Sequence, residues 1–388
     1  MSESRSRWSA VIAYALLGAA TQILWLNYSG VTTVAAEHYG VSENAIGWLA
    51  QVFPLMYIVL AIPAGLVLDR WFRGGLSAGA VLTTVGALLR LGGPTYGWLL
   101  GGQVVVAVAQ PLVLNAVTGI TGRYLAPENR PKGIALGTAS TFAGMVVAFV
   151  LGAVFPGADQ LGALTAVSAA FTVVAAVAML VTVRRPGEHH HATERPGLAT
   201  LRLAWSDPFV RRLCLFAFAP SGAFIALTTY AQALLTPAGV SSSTASLLLM
   251  GNVAAGVVGC AIVPVLAARR GTEVRVLSGG LLITATAAVA MAISPGTAVG
   301  AVCLTAIGFA LLPALPIAFE LAERHASQAE GTATGLIWMA GNLGGLAVAG
   351  ATGMLVGDPT TAFLLLGAVA LLGLPTAARL RRVSVAAA

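Results

Sequence analysis

Twelve long apolar runs divide the chain, and their length constrains the fold more than any other feature of the sequence. Each run has about 20 to 28 residues, and a helix needs about 20 residues to cross the apolar core of a bilayer. Strands of a membrane β-barrel would instead alternate apolar and polar residues over about ten positions. The sequence therefore predicts twelve membrane-spanning helices, at residues 9–36, 45–68, 75–93, 97–122, 133–155, 160–183, 209–235, 243–268, 274–293, 297–319, 329–355 and 360–379.

The composition agrees with an all-α membrane protein. Of the 388 residues, 57% are hydrophobic and 9% are charged, whereas a soluble domain has about 25% charged residues. The net charge of +7 lies in short loops rather than on one amphipathic face with aromatic residues, so nucleic-acid binding is not expected. The run that follows Arg7 is too long for a signal peptide, and we expect it to remain in the membrane.

The basic residues predict the orientation of the helices, because cytoplasmic loops carry an excess of arginine and lysine. With the N-terminus in the cytoplasm, every basic residue except Arg90 falls in a loop on that side or in a terminus. One miscounted helix would move every later loop to the opposite side. We therefore expect a multi-pass protein of the plasma (cytoplasmic) membrane with both termini cytoplasmic. Arg90 is predicted near the outer interface, where it snorkels or, alternatively, attracts an anionic cargo.

Two landmarks suggest that the chain contains a duplicated unit. The segments GLVLDR at 65–70 and PVLAAR at 264–269 lie 199 residues apart, and the GxxxG segments at 133–137 and 331–335 lie 198 residues apart. Such internal symmetry is typical of transporters. The predicted domains are two pseudo-symmetric six-helix bundles joined by a polar linker: an N-terminal bundle at 1–183, a cytoplasmic linker at 184–207, and a C-terminal bundle with a short cytoplasmic tail at 208–388.

The cysteines and histidines do not predict a metal centre. Cys214, Cys260 and Cys303 lie in apolar runs without a CxxC spacing, which predicts neither a disulfide nor a metal site. We interpret them as small packing residues. The histidines at 189–191 lie in the polar linker without acidic or cysteine partners, and we interpret them as solvated, with metal binding as the alternative. No cofactor is expected.

The segment GLVLDRWFR at 65–73 resembles the G-x-L-x-D-R-x-x-R signature of the major facilitator superfamily. Asp69 ends the second predicted helix, where its carboxylate can face the positive N-terminus of a helix from the other half. The eleventh helix, starting near residue 327, is the candidate, and this contact would latch the cytoplasmic side shut. The alternative is that these charges only fix topology. The predicted latch residues are Gly65, Asp69, Arg70, Arg73, Glu320 and Glu323.

Further segments resemble the feline leukaemia virus subgroup C receptor family. They are each short but span both halves: WLNYS at 25–29, YGV at 39–41, WLA at 48–50, AQP at 109–111, LPIAFELAE at 315–323 and EGTATGL at 330–336. The resemblance implies a major facilitator fold that moves choline, ethanolamine or a related cation, with haem also proposed as a cargo of that family.

Trp25 matches the tryptophan with which that family contacts its cation. On a continuous helix, Gln22, Trp25 and Ser29 would share one face midway through the membrane, where polar side chains usually face the interior of the bundle. Asn342 takes the place of the family's glutamine on the eleventh helix. On the fifth helix the family's amide is replaced by threonine and phenylalanine at 141–142, and its tyrosine on the seventh helix is replaced by Phe224.

Aromatic side chains are the predicted means of holding a cation, because no Asp, Glu, Lys or His lies at mid-membrane depth in the twelve runs. Rings of Trp and Tyr can hold a quaternary ammonium, at about 2 kcal/mol per desolvated contact. The predicted site faces helices one, four, five, seven, ten and eleven. Its predicted substrate-binding residues are Gln22, Trp25, Tyr28, Ser29, Gln110, Asn115, Phe224, Tyr230, Trp338 and Asn342.

Alternating-access uniport of a small organic cation is the function that these observations favour. Proton-coupled carriers need a titratable group in the pathway, and only Glu37 and His38 at the outer end of the first helix offer one. The alternatives are a proton-coupled exporter of amphiphilic compounds, a haem transporter, and a receptor without transport, which the short loops disfavour. A monomer in the lipid bilayer that binds a small-molecule substrate, and not an enzyme, is expected.

Overall fold

The computed structural model describes residues 6–29, 31–187, 198–240, 242–325, 330–355 and 357–384. Within these residues the secondary structure is helical. The first half contains α1 (Trp8–Leu26), α2 (Thr32–Tyr39), α3 (Glu43–Leu89), α4 (Tyr96–Leu114), α5 (Val117–Tyr124), α6 (Arg130–Val154) and α7 (Leu161–Val183). The second half contains α8 (Leu198–Ser206), α9 (Pro208–Leu235), α10 (Ser242–Arg270), α11 (Glu273–Ile293), α12 (Thr297–Leu311), α13 (Ala314–His325), α14 (Glu330–Gly353) and α15 (Pro359–Ser384).

The helices of the described residues account for all twelve predicted spans. Eleven segments are long and apolar enough to cross a membrane, and one of them, Ala45–Leu89, has 45 residues. A helix of that length would extend about 67 Å, which is about twice the thickness of the bilayer core. Trp71 breaks it, because its φ of −135° and ψ of 61° are not helical. α3 therefore contains the second and third predicted helices.

Three predicted helices are interrupted, and their prediction as continuous helices was wrong. α1 ends at Leu26 and is followed by the short α2; α4 and α5 are separated at residues 115–116; α12 and α13 are separated at residues 312–313. Pro313 supplies no N–H for a continuous helix. The last two breaks lie about 197 residues apart, at equivalent positions of the two halves, which supports the predicted duplication.

The chain divides into two compact units. Unit 1 comprises Met1–Arg202 with Ser327–Gly335, and unit 2 comprises Leu203–Ala326 with Leu336–Ala388. The first turn of α14 therefore groups with unit 1 and the remainder of α14 with unit 2, a division that the sequence did not predict. Residues 184–207, predicted as a linker, include the helix α8.

Each unit contains a helix crossing at which a glycine lets two backbones touch. In unit 1, a Cβ on Gly144 of α6 would lie 2.4 Å from the carbonyl oxygen of Ala19 in α1. In unit 2, a Cβ on Gly344 of α14 would lie 2.2 Å from the carbonyl oxygen of Phe218 in α9. Small residues allow such close approach in lipid. The crossings join the first and fifth predicted spans, and the seventh and eleventh, so they are equivalent in the two halves.

Candidate functional site

Trp25 lies in the last turn of α1, and two contacts hold its indole ring. Pro54 has no N–H, so the carbonyl of Ala50, four residues earlier, loses its helical partner. The Nε1–H of Trp25 donates to this carbonyl oxygen at 2.8 Å. The Phe53 ring stacks on the indole, with centroids 5.9 Å apart and planes inclined by 25°. Trp25 is half-buried and therefore forms a fixed aromatic surface in unit 1.

Side chains from two neighbouring helices hold the end of α1. The last carbonyls of a helix have no partner within it, and an unsatisfied polar group is costly inside a membrane. The carbonyl oxygen of Leu24 accepts hydrogen bonds from Arg90 Nη1 at 3.1 Å and from Gln103 Nε2 at 3.0 Å. Gln103 Nε2 also donates to the carbonyl oxygen of Leu49 at 3.0 Å. These bonds join α1, α3 and α4 beside Trp25.

Arg90 is buried, and the prediction that it snorkels was wrong. Only 3% of the residue is exposed. Its Nη2 donates to Asn27 Oδ1 at 2.8 Å, and its guanidinium lies 5.3 Å from the centroid of the Tyr28 ring. The helical rise places Arg90 near the end of a span. It does not show that the end of α1 accepts hydrogen bonds from Arg90 Nη1 and Nη2. Its donors therefore face the interior of unit 1.

Tyr28 belongs to the same buried network. Its hydroxyl lies 2.7 Å from Thr165 Oγ1 and 3.2 Å from the hydroxyl of Tyr39. Because one side of its ring faces Arg90 and 3% of the residue is exposed, Tyr28 contributes to the interior of unit 1.

α1 ends before Ser29, so the predicted helical face shared by Gln22, Trp25 and Ser29 does not form at Ser29. Ser29 is exposed in the turn that follows α1. Gln22 is buried on α1, and its Nε2 donates to Thr21 Oγ1 at 3.2 Å. The end of α1 depends on partners from α3 and α4, which periodicity within α1 does not reveal.

Asn115 braces the break between α4 and α5. The Tyr57 hydroxyl donates to Asn115 Oδ1, and Asn115 Nδ2 donates to the carbonyl oxygen of Ala61 at 2.9 Å. Gly335 of α14 packs on this brace, since a Cβ there would lie 2.8 Å from both the Ala61 oxygen and Asn115 Nδ2. Gln110, five residues earlier, is also buried. The structure thus places both predicted polar residues in the interior of unit 1.

Asp69 caps the first turn of α14. Its Oδ2 accepts the backbone N–H of Thr332 at 3.1 Å and also the Thr332 hydroxyl, and 5% of the residue is exposed. Because α14 begins at residue 330, this N–H is one of those that lack a partner within the helix. A carboxylate here satisfies the donor and interacts favourably with the positive end of the helix dipole. The hydroxyls of Thr118 and Thr334 lie 2.8 Å apart in the same unit.

The other predicted latch residues of unit 1 lie away from that cap. Arg73 donates from Nε to the carbonyl oxygen of Val183 at 2.7 Å, and its Nη2 donates to the next carbonyl, so it satisfies the end of α7. Arg70 is exposed, with its guanidinium 4.5 Å from the ring centroid of Trp71. Gly65 is buried in α3.

Glu320 and Glu323 are buried in unit 2. One carboxylate oxygen of Glu320, Oε1, pairs with Arg324 Nη2, and Arg324 Nη1 lies 3.2 Å from Glu273 Oε1. The other oxygen, Glu320 Oε2, is buried and has no hydrogen-bond partner among the residues that the structure describes. Glu320 lies inside the candidate span Thr297–Arg324, one residue past the predicted run. These pairs join α11 to α13.

The remaining aromatic and amide candidates lie in unit 2. Trp338 is half-buried, and its ring centroid lies 5.4 Å from that of Phe319 at an angle of 42°. Asn342 Nδ2 donates to the Trp338 carbonyl oxygen at 2.9 Å, so this amide bonds to the backbone of its own helix. Phe224 and Tyr230 are half-buried on α9.

A second aspartate caps a helix at α15. Thr361 donates its backbone N–H to Asp358 Oδ1 at 3.2 Å and its hydroxyl to Asp358 Oδ2 at 2.5 Å. These hydrogen bonds hold the pKa of the exposed Asp358 carboxyl below its usual 3.8, and the one from the Thr361 hydroxyl contributes most.

Sequence reasoning missed how Pro54, Arg90 and Gln103 hold the Trp25 region. A proline inside a helix frees a carbonyl four residues earlier, so Pro54 was a readable signal for a free Ala50 carbonyl. The partner of that carbonyl lies on another helix, and sequence spacing does not reveal it.

The predicted alternatives of metal binding and of a proton-binding site concern residues elsewhere in the chain. The histidines at 189–191 lie outside the described residues. Within the described ranges, no three His, Cys, Asp or Glu side chains are grouped to hold a metal. Cys214, Cys260 and Cys303 are buried in three different helices. Glu37 and His38 are exposed on α2.

Parts of the chain are similar to known transporters. It is 24% identical over 152 residues to human choline/ethanolamine transporter FLVCR2, covering 38% of this chain and 29% of the human protein. It is 29% identical over 151 residues to the uncharacterized MFS-type transporter C09D4.1 of Caenorhabditis elegans, covering 38% of this chain and 26% of the worm protein. It is 24% identical over 365 residues to solute carrier family 49 member A3 of Danio rerio, covering 87% and 76%. The matches to the human and worm proteins thus span less than a third of either.

Solved structures match over nearly the whole chain. The human organic anion transporter MFSD10 (TETRAN) matches with a TM-score of 0.80 at 15% identity, over 95% of this chain and 99% of that chain. The E. coli fucose:proton symporter FucP matches with a TM-score of 0.76 at 18% identity, over 96% and 99%. At these identities the likeness shows the fold alone.

The sequence pattern that defines the Major Facilitator Superfamily matches residues 10–349. This match covers most of the chain and includes both repeats, and it agrees with the helical architecture and with the solved structures. The resemblance inferred from the motifs is confirmed at this level. The chain belongs to the Major Facilitator Superfamily and is a multi-pass membrane protein, and the solved structures named above are transporters rather than enzymes.

Proposed function

We propose that this chain is an alternating-access uniporter of a small organic cation such as choline or ethanolamine. The observation that carries the proposal is the fixed indole of Trp25, with its N–H on the Ala50 carbonyl and one ring face on Phe53. A ring already held in place loses little side-chain freedom on binding. A desolvated ammonium gains about 2 kcal/mol on such a surface.

The relatives support the same class of substrate. The human and rat proteins that align with part of the chain are named choline/ethanolamine transporters. Trp338 is a second half-buried indole, and we propose it as a cation-binding residue of unit 2, with Asn342 beside it on α14. Its replacement by alanine tests this part separately from Trp25.

Asp69 is the proposed conformational latch. It holds the first turn of α14 through a buried carboxylate, and we propose that this contact forms in one state of the transport cycle and breaks in another. Asp69→Asn should then change the labelling rate of a single cysteine at the exposed position 42. An unchanged rate would contradict the latch.

The basic residues support a plasma-membrane protein whose termini face the cytoplasm, because they gather in loops predicted to share one side. A monomer is the simplest assembly, and size analysis in detergent tests it. Labelling of cysteines at the exposed positions 42 and 70 from either side of the membrane tests the orientation.

The test of the substrate is a thermal-shift measurement on purified protein with choline, ethanolamine, betaine and haem, because a ligand that binds only the folded state stabilises it. We expect choline or ethanolamine to stabilise the protein, Trp25→Ala to abolish that shift, and Trp25→Phe to retain part of it. Trp48→Ala is the matched control, since Trp48 is half exposed on α3. An equal shift in Trp25→Ala and the unaltered protein would remove Trp25 from the site.

A second candidate function, proton-coupled export of amphiphilic compounds, is favoured by Glu320. This carboxylate is buried within a candidate span, and within the described ranges its Oε2 has no hydrogen-bond partner, so it can accept a proton. An uncoupler should stop transport in that case, and Glu320→Gln should remove its dependence on the pH gradient. Uniport responds to the uncoupler only through the membrane potential.

A further inference from the structure

The position of Trp25 depends on where α1 ends, and hydrogen bonds determine that end. The carbonyl oxygen of Ile23 accepts the N–H of Asn27 at 3.0 Å, and that of Leu26 accepts the N–H of Ser29 at 2.9 Å. Between them, the Leu24 carbonyl oxygen accepts hydrogen bonds from Gln103 of α4 and from Arg90, the residue that follows α3. The turn that contains Trp25 is therefore held from outside its own helix.

Arg90 makes two of these attachments. Its Nη1 bonds Leu24 and its Nη2 bonds Asn27 Oδ1, while Asn27 Nδ2 donates to Ser168 Oγ of α7 at 2.9 Å. The guanidinium thus spans the last turn of α1 and the residue that follows it. A positive charge at this end is favourable because the C-terminus of a helix carries a partial negative charge.

The Gln103 side chain also holds the turn that contains Trp25, and it links this turn to α3. Its Nε2 bonds the Leu24 carbonyl of α1 and the Leu49 carbonyl of α3, each at 3.0 Å. Leu49 precedes Ala50, whose carbonyl receives the Trp25 indole. One amide therefore ties the turn that carries Trp25 to the residue beside the indole's acceptor.

We infer that Arg90 and Gln103 are positioning residues for Trp25. They hold the end of α1 against α3 and α4 so that the indole reaches the Ala50 carbonyl and the ring of Phe53. The consequence for cation binding rests on the proposed function, whereas the effect on the indole itself needs no ligand.

The first experiment measures the indole without ligand. The emission of Trp25 is obtained as the difference between each protein and the same protein carrying Trp25→Phe. We expect Arg90→Gln and Gln103→Met to shift this emission to longer wavelength and to make it more accessible to iodide. Gln103→Met removes no charge, so it carries the test if Arg90→Gln does not fold.

Asn252→Leu is the matched control. Asn252 is a buried amide of unit 2 whose Nδ2 donates to the Leu304 carbonyl oxygen at 2.6 Å, joining α10 to α12. Its loss should lower the thermal stability as Gln103→Met does and leave the Trp25 emission unchanged. If Asn252→Leu shifts the emission as much as Gln103→Met, general destabilisation explains the effect and the inference is wrong.

The second experiment measures choline. We expect Arg90→Gln and Gln103→Met to raise the KM for choline by up to about thirtyfold, which corresponds to the loss of one cation contact, with little change in the maximal rate. Asn252→Leu should lower the amount of folded protein at an unchanged KM. Unchanged Trp25 emission in both variants would overturn the inference. Changed emission with no choline binding by the unaltered protein would support positioning and refute the proposed function.

Discussion

Asp69 and Asp358 cap two helices with the same pair of donors, a threonine N–H and hydroxyl, but in different surroundings. Asp358 is exposed and lies three residues before Thr361. Asp69 is buried and lies 263 residues from Thr332. A local cap is available whenever its helix forms, whereas a remote cap exists only while two distant segments are in contact. The cap formed by Asp69 therefore depends on the tertiary structure, whereas the cap formed by Asp358 depends only on the formation of α15.

Asp69→Ala should have the largest effect, because it leaves the N–H and hydroxyl of Thr332 buried without their acceptor. The cost is about 1–3 kcal/mol. We expect faster amide exchange in the first turn of α14 and a lower transport rate. Hydrogen exchange of the peptide at 330–336 measures the first effect. Asp69→Asn keeps one acceptor oxygen, so its exchange rate should lie between those of the unaltered protein and Asp69→Ala. Unchanged exchange in Asp69→Ala would contradict the cap.

Thr332→Val should have a smaller effect, because it removes the hydroxyl and keeps the backbone donor. A buried hydrogen bond contributes about 1 kcal/mol. The matched change at the exposed cap is Thr361→Val, which we expect to alter exchange only at the start of α15. The two variants are compared in one transport assay, and equal losses of transport would erase the distinction between the two caps.

Asp358→Ala should have a still smaller effect, since water can replace the exposed carboxylate. We expect a slightly lower melting temperature, faster exchange at the first turn of α15, and an unchanged transport rate. A loss of transport as large as that in Asp69→Ala would show that the cap of α15 also takes part in the cycle.

The pH dependence of the exposed cap should be the smallest effect. Because its hydrogen bonds lower the pKa of Asp358 below 3.8, its contribution to stability is fully present above that value and is lost as the pH falls through the lowered pKa. Exchange at the start of α15, corrected for the intrinsic rate, should therefore stay constant from pH 7 to about pH 5. Weakening near pH 6 would contradict the assignment.

Much of the fold could be predicted because lipid restricts the possible structures. An apolar run of about 20 residues has few alternatives to a membrane-spanning helix, and the repeated landmarks predicted two equivalent halves. The breaks at residues 115–116 and 312–313 were not predicted. Helix ends were harder to predict. The end of α1 at Leu26 depends on Arg90 and Gln103, which approach it from other helices, and no pattern within the first run contains that information.

The candidate site was predictable only in part. A resemblance singled out Trp25, and a dipole argument singled out Asp69. Tyr28 was singled out by its ring, and the sequence does not show that this ring lies against Arg90. Glu320, which was predicted as a latch residue, lies one residue past the predicted run and inside a candidate span.

A substitution at Pro54 would change the surroundings of Trp25 indirectly. Its missing N–H provides the acceptor for the Trp25 indole, although the pyrrolidine ring itself has no part in that hydrogen bond. A codon change at position 54 would return the Ala50 carbonyl to its own helix and release the indole. Under the proposed function, a substitution at position 54 would therefore alter cation binding through the position of the indole, and a mutational scan confined to the aromatic candidates would not include it.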